Sequence, residues 1–303
     1  MTPIQTLTRP ASLDEYKERL QLAAEATAES SRSGPTYQAQ PSDVFISPFS
    51  KCGTTWLQQI VHGLRTRGDM DFDDISRVIP WLEMADRFGL NLCAPQCGGF
   101  KAFKSHLSWS MIPKGGRYIV SFRDPKDALV SMYHMLNGWH WQSGAISIAE
   151  YARHFYLNAH GGGWDGSYWA HLASWWEQRG NPKVLLLSYE GMKADLPGTV
   201  QTIADFLGIE MDPSMFELVV DQASFAFMLA HQAKFSDPIS LGAIANEGLW
   251  AAPETFTKIR NGQIGNHRTE LPAEIAAEMD AIWQTVEART GLSSYQALRA
   301  ALA

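Results

Sequence analysis

The chain has 303 residues, enough for one large α/β domain or two smaller ones, and 45% of them are hydrophobic, an ordinary share for a globular protein. The formal net charge of −7 argues against a broad surface for nucleic acid or anionic membranes, so an anionic ligand would need a local basic pocket. Three cysteines are too few for a disulfide framework and indicate a reducing compartment, so we expect a cytoplasmic protein.

The sequence also argues against a membrane or secreted protein and against a metal-binding protein. No apolar run approaches the ~18 residues of a membrane-spanning helix, and the N-terminus lacks the pattern of a secretory signal, so no stable membrane insertion is expected. Cys93 and Cys97 could bind a metal, but no second pair of ligands lies nearby in the sequence. We therefore predict a protein without a metal.

The first predicted element is a helix near the N-terminus. Ser12 and Glu15 form a capping-box pattern, and apolar residues then recur on one helical face. A connector rich in Ser, Gly, Pro and Gln follows at residues 30–42. We therefore divide the chain into an N-terminal extension of helix plus connector, residues 1–42, and a main domain, residues 43–303.

The main domain is predicted to open with a strand, a tight loop and a helix. Residues 43–47 are β-rich, the loop contains Gly53, and an amphipathic run follows. In this layout the backbone N–H groups of the loop and helix N-terminus point at an anion. Lys51 adds a positive charge, and Thr54 and Thr55 add hydroxyl donors. The loop is not a Walker A sequence, which needs Gly-Lys-[Ser/Thr], and a chance turn that merely starts a helix is the alternative.

A second strand is predicted at residues 100–106, where apolar and polar residues alternate. It delivers Lys104 and then His106. Parallel strands present catalytic groups at their C-terminal ends, so His106 is a candidate general base, although a lone histidine is more often structural.

A third strand, residues 117–122, runs into a helix for which Asp124 is the predicted N-cap and Pro125 the first residue. Arg123 at the strand end and Ser131 about two turns along the helix can both point towards an anion. A planar arginine fork suits a phosphate. The alternative is a solvated Arg–Asp turn.

The rest of the chain alternates helices with one more strand. Residues 137–170, rich in Trp, His and Gly, are interpreted as an insertion beside a cleft, and the apolar run at 183–189 as a strand buried on both faces. Residues 231–257 lack a clear period and are consistent with a mobile lid. Helices are predicted at about 167–178, 196–207, 213–222, 272–289 and 293–302.

Segments in order along residues 43–268 resemble the motifs of the cytosolic-type sulfotransferase family, whose donor is 3′-phosphoadenosine 5′-phosphosulfate (PAPS). The run from Lys51 to Trp56 resembles the family's phosphosulfate-binding loop, Tyr-Pro-Lys-Ser-Gly-Thr-Thr-Trp, with Cys52 in place of serine. The Phe-Lys-x-His-Leu setting of His106 resembles the segment that carries the family's catalytic histidine.

The four later segments resemble nucleotide-binding motifs of the same family. Arg123 to Ser131 resembles the 3′-phosphate segment, and Tyr189 opens a segment similar to Tyr-Glu-Asp-Met-Lys, whose tyrosine reaches the cofactor. Ala223 stands where the Thr-Ser-Phe motif has threonine, and Asn261 where the Arg-Lys-Gly motif has lysine. Both departures put individual contacts to the nucleotide in doubt.

The resemblance implies a single α/β domain with a central parallel sheet, helices on both faces and a P-loop-like strand–loop–helix that binds phosphosulfate. It implies PAPS as donor, 3′-phosphoadenosine 5′-phosphate (PAP) as product and transfer of the sulfuryl group to a hydroxyl or amine of a small apolar or aromatic acceptor. The implied catalytic residues are His106, as base, with Lys51, Lys104 and Ser131. The implied cofactor-binding residues are Lys51, Cys52, Gly53, Thr54, Thr55, Trp56, Arg123, Ser131, Tyr189, Ser224, Phe225, Met228, Arg260, Asn261 and Gly262.

Contacts to the acceptor are assigned to aromatic side chains, for each of which core packing is the alternative. These are Trp81, Phe88, Phe103, Trp139 and Trp141. A P-loop nucleotide kinase and a non-catalytic PAP- or PAPS-binding protein are the alternative functions. We expect a bacterial member of the family and leave a homodimer open.

Overall fold

The centre of the protein is a parallel sheet of four strands in the order β2-β1-β3-β4. The structure is a computed structural model that describes residues 8–27, 36–158, 166–246, 248–251 and 258–302. The strands are β1 (Val44–Ile46), β2 (Ala102–Lys104), β3 (Arg117–Phe122) and β4 (Val184–Ser188). Parts of the predicted connector, insertion and lid, namely 28–35, 159–165, 247 and 252–257, lie outside the described residues.

The register of the sheet places all four C-terminal strand ends at one edge. Val44 of β1 pairs with Ala102 of β2 on one side and with Arg117 of β3 on the other, and β3 pairs with β4 over five residues, all in parallel. β1 is buried throughout, as expected for a central strand covered on both faces. β1 and β2 are shorter than the predicted runs 43–47 and 100–106.

Helices account for most of the remaining described residues. They are α1 (Leu13–Thr27), α2 (Thr54–Thr66), α3 (Ile75–Val78), α4 (Pro125–Leu136), α5 (Ile148–Tyr151), α6 (Tyr168–Trp176), α7 (Tyr189–Ala194), α8 (Leu196–Leu207), α9 (Pro213–Gln222), α10 (Phe225–Ala230), α11 (Pro238–Asn246), α12 (His267–Glu270), α13 (Ala273–Thr290) and α14 (Tyr295–Leu302). Shorter turns are 3₁₀ at Leu82–Met84 and Gln232–Phe235 and π at Ala152–Tyr156.

The predicted start of α4 is confirmed. The Asp124 carboxylate accepts from the Lys126 N–H at 2.9 Å, and Pro125 occupies the first turn. The segment 231–257, which lacks a clear period in the sequence, contains α11 and the turn before it. The run of α11 is mostly apolar and contains a glycine, so no amphipathic period reveals the helix in the sequence.

Helices cover both faces of the sheet, which confirms the predicted α/β class. Phe45 packs into a core rich in aromatic side chains on one face, and its neighbour Ile46 packs with α2 and α8 on the other. The N-terminal helix joins the first core through Tyr16, whose ring lies 4.9 Å from that of Trp141. Within the described residues, no helix has the length and apolar character needed to cross a membrane.

Candidate active site

A cavity of about 410 Å³ opens at the edge of the sheet where the four strands end. β1 leads into the loop before α2, β2 ends at Lys104, β3 delivers Arg123 and β4 delivers Tyr189. Eighteen of the sequence-predicted site residues line this cavity. They are Lys51, Gly53, Thr54, Thr55, Trp56, Trp81, Phe88, Lys104, His106, Arg123, Ser131, Trp139, Tyr189, Phe225, Met228, Arg260, Asn261 and Gly262.

Two predicted cofactor residues lie beside the cavity and not on its wall. The side chain of Cys52 is fully buried, and its Sγ faces the Ser50 carbonyl at 3.7 Å. The Ser224 hydroxyl accepts from the Phe227 N–H at 3.1 Å and so caps α10. Both residues shape the chain around the cavity through these local contacts.

Two predicted acceptor residues lie in the hydrophobic core and do not line the cavity. Phe103 is fully buried and stacks on Phe45 at 5.5 Å, with Tyr37 at 4.8 Å. Trp141 is fully buried beneath Tyr16. In both positions the aromatic ring contributes to packing, which is the alternative that the sequence left open.

The loop before α2 is held in a left-handed conformation at two residues. Gly53 has φ 100°, and a Cβ at this position would lie 3.1 Å from the Tyr189 ring and 3.3 Å from Ser121 Oγ. Lys51 has φ 67°, which is uncommon for a residue with a side chain. The carbonyls of this loop are engaged, since Lys51 O accepts from Arg123 and Cys52 O accepts from Ser121.

The N-terminus of α2 presents hydrogen-bond donors to the cavity. No side chain caps this helix, and the first N–H groups of any helix lack partners within it. Within the described chain, Thr54 Oγ1 and Arg123 Nε are buried without a hydrogen-bond partner. Buried polar atoms are rarely left unpaired, so these donors fit an anionic group bound against them.

Arg123 connects the loop to the C-terminal motif. Its side chain is 8% exposed and donates to Lys51 O at 3.1 Å and to Gln263 O at 3.2 Å. The guanidinium lies 4.5 Å from the centre of the Tyr189 ring. Arg260, in the same C-terminal motif, is exposed and has Glu270 at 3.7 Å.

Aromatic rings form a slot at the far end of the cavity. Trp56 and Tyr189 lie 5.6 Å apart, centre to centre, and Trp56 Nε1 donates to the Ala223 carbonyl at 2.8 Å. Because Ala223 makes this contact through its backbone, the absent threonine hydroxyl does not affect it. The Phe225 ring is 44% exposed and passes so close to Gly262 that a Cβ there would lie 2.7 Å from it.

His106 is buried at the end of β2 and has one defined tautomer. Its Nδ1 lies 2.7 Å from the Pro48 carbonyl oxygen, and a carbonyl can only accept, so Nδ1 carries the hydrogen and Nε2 keeps its lone pair. Burial, followed by the nearby Lys104 ammonium, holds the pKa of His106 well below its usual range. The ring is therefore neutral near pH 7. Trp81 packs edge-on against it at 5.2 Å.

Glu83 supports this histidine and was not predicted. Its Oε1 accepts from the His106 N–H at 2.6 Å and from Ser105 Oγ at 3.0 Å. Burial raises the pKa of Glu83 to about 7. The signal available in the sequence was a lone acidic residue within the apolar run Trp-Leu-Glu-Met.

The ammonium groups of the half-buried Lys51 and the buried Lys104 both line the cavity. Burial, with Arg123 next, lowers the pKa of Lys51 to about 7, and burial lowers the pKa of Lys104 to about 8. Lys51 Nζ donates to the Met135 sulfur at 3.4 Å. Met135 lies one turn beyond Ser131 along α4.

One wall of the cavity is mostly apolar. Besides the predicted Trp81, Phe88 and Trp139, it contains residues that the sequence did not single out: Met84, Met135, Leu136, His140 and Leu241. His140 is held by Trp250, 4.3 Å away between ring centres. An apolar molecule of modest size would fit here, next to the Nε2 side of His106.

Cys93 and Cys97 are exposed and unpaired. Among the residues that the structure describes, no group of three or more His, Cys, Asp or Glu side chains is arranged to hold a metal ion.

Comparison with known proteins gives consistent results. Residues 41–293 match the model of the sulfotransferase domain family. The chain is 25% identical over 277 residues to luciferin sulfotransferase of Photinus pyralis, covering 81% of this chain and 71% of that protein. It is 28% identical over 262 residues to amine sulfotransferase of Oryctolagus cuniculus, covering 82% and 81%. The structure superposes on mouse sulfotransferase SULT7A1 complexed with PAP with a TM-score of 0.67 and 22% identity, over 92% of this chain and 95% of that chain.

Proposed function

The chain belongs to the sulfotransferase domain family, and from this premise we propose that it transfers a sulfuryl group from PAPS to a hydroxyl or amine of a small apolar or aromatic acceptor. The observation that carries the proposal is the hydrogen bond from His106 Nδ1 to Pro48 O. It leaves a basic Nε2 in the same cavity as Lys51 and the uncapped N-terminus of α2.

The donor nucleotide is assigned to the part of the cavity between the loop and the aromatic slot. The α2 N-terminus and Thr54 Oγ1 would hold the 5′ anionic groups, and Arg123 with Arg260 the 3′-phosphate. Trp56 and Phe225 would stack on the base, since aromatic faces bind bases without hydrogen-bond readout. The PAP in the mouse SULT7A1 complex supports a nucleotide of this kind as the ligand.

His106 acts as the general base. When bound, the donor supplies the sulfuryl group, whose bond to the 5′-phosphate oxygen breaks as the acceptor oxygen bonds to sulfur. His106 Nε2 takes the acceptor's proton, and the resulting imidazolium keeps its hydrogen bond to Pro48 O. Because the pKa of His106 is low, the ring is already neutral and ready to accept at physiological pH.

Lys51, Lys104 and the threonine hydroxyls stabilise the negative charge that develops on the leaving side. The lysines lie in a buried setting where a fixed ammonium interacts more strongly with an anion than it would in water. The low pKa values of both lysines mean that a bound anion would also draw protons onto them.

The acceptor is assigned to the apolar wall around Trp81, Phe88 and Trp139. The names of two relatives, luciferin sulfotransferase and amine sulfotransferase, support a small molecule with a hydroxyl or amine. A cytoplasmic location, a bacterial origin, independence from metal and assembly as a homodimer remain predictions that accompany this proposal.

The proposal is tested by adding PAP, or ATP with Mg²⁺, to the protein in separate thermal melts, the PAP sample containing a chelator. PAP at a hundred times its Kd should raise Tm, since such a ligand stabilises the folded state by about 2.7 kcal/mol. A panel of phenols and amines with PAPS should then yield sulfated product. The proposal would be contradicted if Tm rose with ATP and Mg²⁺ but not with PAP, or if millimolar PAP left Tm unchanged.

A further inference from the structure

Two buried lysines share one buried carboxylate in the wall of the cavity. Asp237 Oδ2 accepts from Lys104 Nζ at 3.1 Å and also from Lys258 Nζ. Asp237 Oδ1 accepts from Ser76 Oγ at 2.7 Å. The side chains of Lys104, Lys258 and Asp237 are 3%, 14% and 4% exposed. Lys104 thus already provides a counter-ion for Asp237, and Lys258 adds a second one.

The cavity as a whole carries a surplus of positive charge. Among the described residues that line it, Asp237 is the one acidic side chain, set against seven lysines and arginines: Lys51, Arg87, Lys104, Arg123, Lys193, Lys258 and Arg260. Desolvated like charges in one cavity oppose each other, and the presence of Lys104 and Lys51 adds to burial in lowering the pKa of Lys258. An anionic ligand relieves this repulsion.

The segment 258–262 runs along the cavity in a defined direction. Lys258 meets Asp237 and Lys104 next to the reacting histidine, and Gly262 meets the Phe225 ring at the slot assigned to the base. Arg260 lies between them. The same short segment therefore faces both ends of the proposed nucleotide site, and Lys258 faces the sulfuryl end.

We propose that Lys258 binds the oxygens of the sulfuryl group that is transferred, an inference that rests on the proposed function. An ammonium has three N–H donors, and Asp237 is the hydrogen-bond acceptor of Lys258 Nζ among the residues that the structure describes, so donors are available for the anion. Asp237 is a positioning residue: it holds Lys258 and Lys104 side by side at the edge of the site. Ser76 in turn fixes the carboxylate.

The test uses two nucleotides that differ only by the sulfuryl group. Binding of PAPS and of PAP is measured by titration calorimetry without acceptor, for the wild type and for Lys258→Met. We expect the affinity for PAPS to fall about tenfold, as for a lost hydrogen bond to a charged group, and the affinity for PAP to change less than twofold. Lys258→Arg should restore most of the preference for PAPS.

Lys234→Met is the matched control. Lys234 lies in the same region and donates to the carbonyls of Met70 and Phe72, but it does not line the cavity. Lys234→Met should change the affinities for PAPS and for PAP equally. If Lys258→Met does not fold, Lys258→Gln, which keeps a donor for Asp237 without the charge, replaces it.

The outcomes separate the two proposals. If the wild type binds neither nucleotide, both are overturned. If the wild type binds both, and the Lys258 variants lose PAPS and PAP equally or lose neither, the proposed function stands and the role of Lys258 is overturned.

Discussion

The imidazole of His106 donates from Nδ1 to the carbonyl oxygen of Pro48, 2.7 Å away. Pro48 lies in the loop that leads from β1 to Lys51, so this hydrogen bond connects the general base to the loop before α2, which is proposed to bind the anion. The bond also fixes the tautomer, since a carbonyl cannot donate. The backbone of that loop therefore keeps the lone pair of His106 on Nε2.

Replacing this base should affect turnover and leave nucleotide binding intact. We expect His106→Ala to lower kcat by ~10²–10⁴-fold, the usual contribution of a general base. The PAP-induced rise in Tm should not change, because His106 faces the acceptor. The defect should shrink as the acceptor becomes more acidic, since an acidic phenol needs less help to lose its proton.

His231→Ala is the control for this experiment, because His231 stacks on Phe227 and does not line the cavity. It should retain wild-type kcat. Full activity of His106→Ala on an alcohol would exclude the role as base. Loss of PAP binding in the same variant would instead point to a structural histidine.

Binding of PAP should take up protons at mildly alkaline pH. Without ligand, the pKa of Lys51 is about 7 and that of Lys104 about 8, so both are partly neutral at pH 8. A bound anion raises both values, and protons must enter from solution. The affinity for PAP should therefore fall as pH rises from 7 to 9.

Calorimetry in two buffers of different ionisation enthalpy measures this uptake directly. Lys51→Met should reduce the number of protons taken up at pH 8, whereas Lys234→Met should not. An affinity for PAP that stays constant from pH 7 to 9, with no proton uptake, would contradict the assignment of these lysines to the anion.

The two arginines assigned to the 3′-phosphate, Arg260 and Arg123, should report on that group. We expect Arg260→Met to weaken PAP while scarcely changing the affinity for adenosine 5′-phosphosulfate, which lacks that phosphate. Arg123→Ala should also lower the affinity for PAP more than the affinity for adenosine 5′-phosphosulfate. It should in addition lower Tm without ligand, because Arg123 bridges Lys51 O and Gln263 O.

Binding of both ligands to each variant, measured by titration, distinguishes these effects. Equal losses for PAP and adenosine 5′-phosphosulfate in Arg260→Met would show that Arg260 does not face the 3′-phosphate. Lys193→Met is a useful comparison, since Lys193 lines the cavity but donates to the carbonyl of Gly262.

Sequence alone was sufficient where contiguous residues determine the local structure. Lys51 and Gly53 belong to one loop that leads directly into α2 at Thr54, and the position of His106 follows from the alternation along β2 and the parallel sheet. The same alternation directs Phe103 into the core and the next residue, Lys104, to the cavity.

Contacts between distant segments were not predictable in this way. Ser76 and Asp237 are 161 positions apart, and nothing in either local pattern indicates that they meet. The burial of Trp141 depends on Tyr16 from the N-terminal helix. Lys258 stands two residues before Arg260, where a lysine in a polar loop would ordinarily be solvated.

A last prediction concerns the ion pair between His267 and Asp127. The Asp127 carboxylate is 1% exposed and accepts from Gly265 N at 2.6 Å, His267 N at 3.1 Å and His267 Nδ1 at 2.8 Å. These bonds fasten the end of the motif that begins at Arg260 to the first turn of α4. The hydrogen bond to Asp127 raises the pKa of His267 above its usual 6.5. Burial raises the pKa of Asp127, but the bonds from His267 and Gly265 outweigh it and leave that pKa below 3.8.

The sign of the pH dependence follows from these two shifts. The contribution of His267 to stability is fully present below pH 6.5 and is lost as pH rises through its raised pKa; that of Asp127 is present above pH 3.8 and is lost as pH falls through its lowered pKa. His267→Asn keeps a donor for Asp127 but does not titrate. The wild type should therefore melt above this variant by about 1–3 °C at pH 6, since a partly exposed pair contributes up to ~1 kcal/mol and ~1 kcal/mol moves the Tm of a large domain by ~2–4 °C. The difference should be smaller at pH 8.5, while His231→Asn should show the same difference from the wild type at both pH values. The Tm difference between the wild type and His267→Asn could instead be independent of pH. In that case the ion pair would not contribute to stability, and His267 would be held by its backbone contact alone.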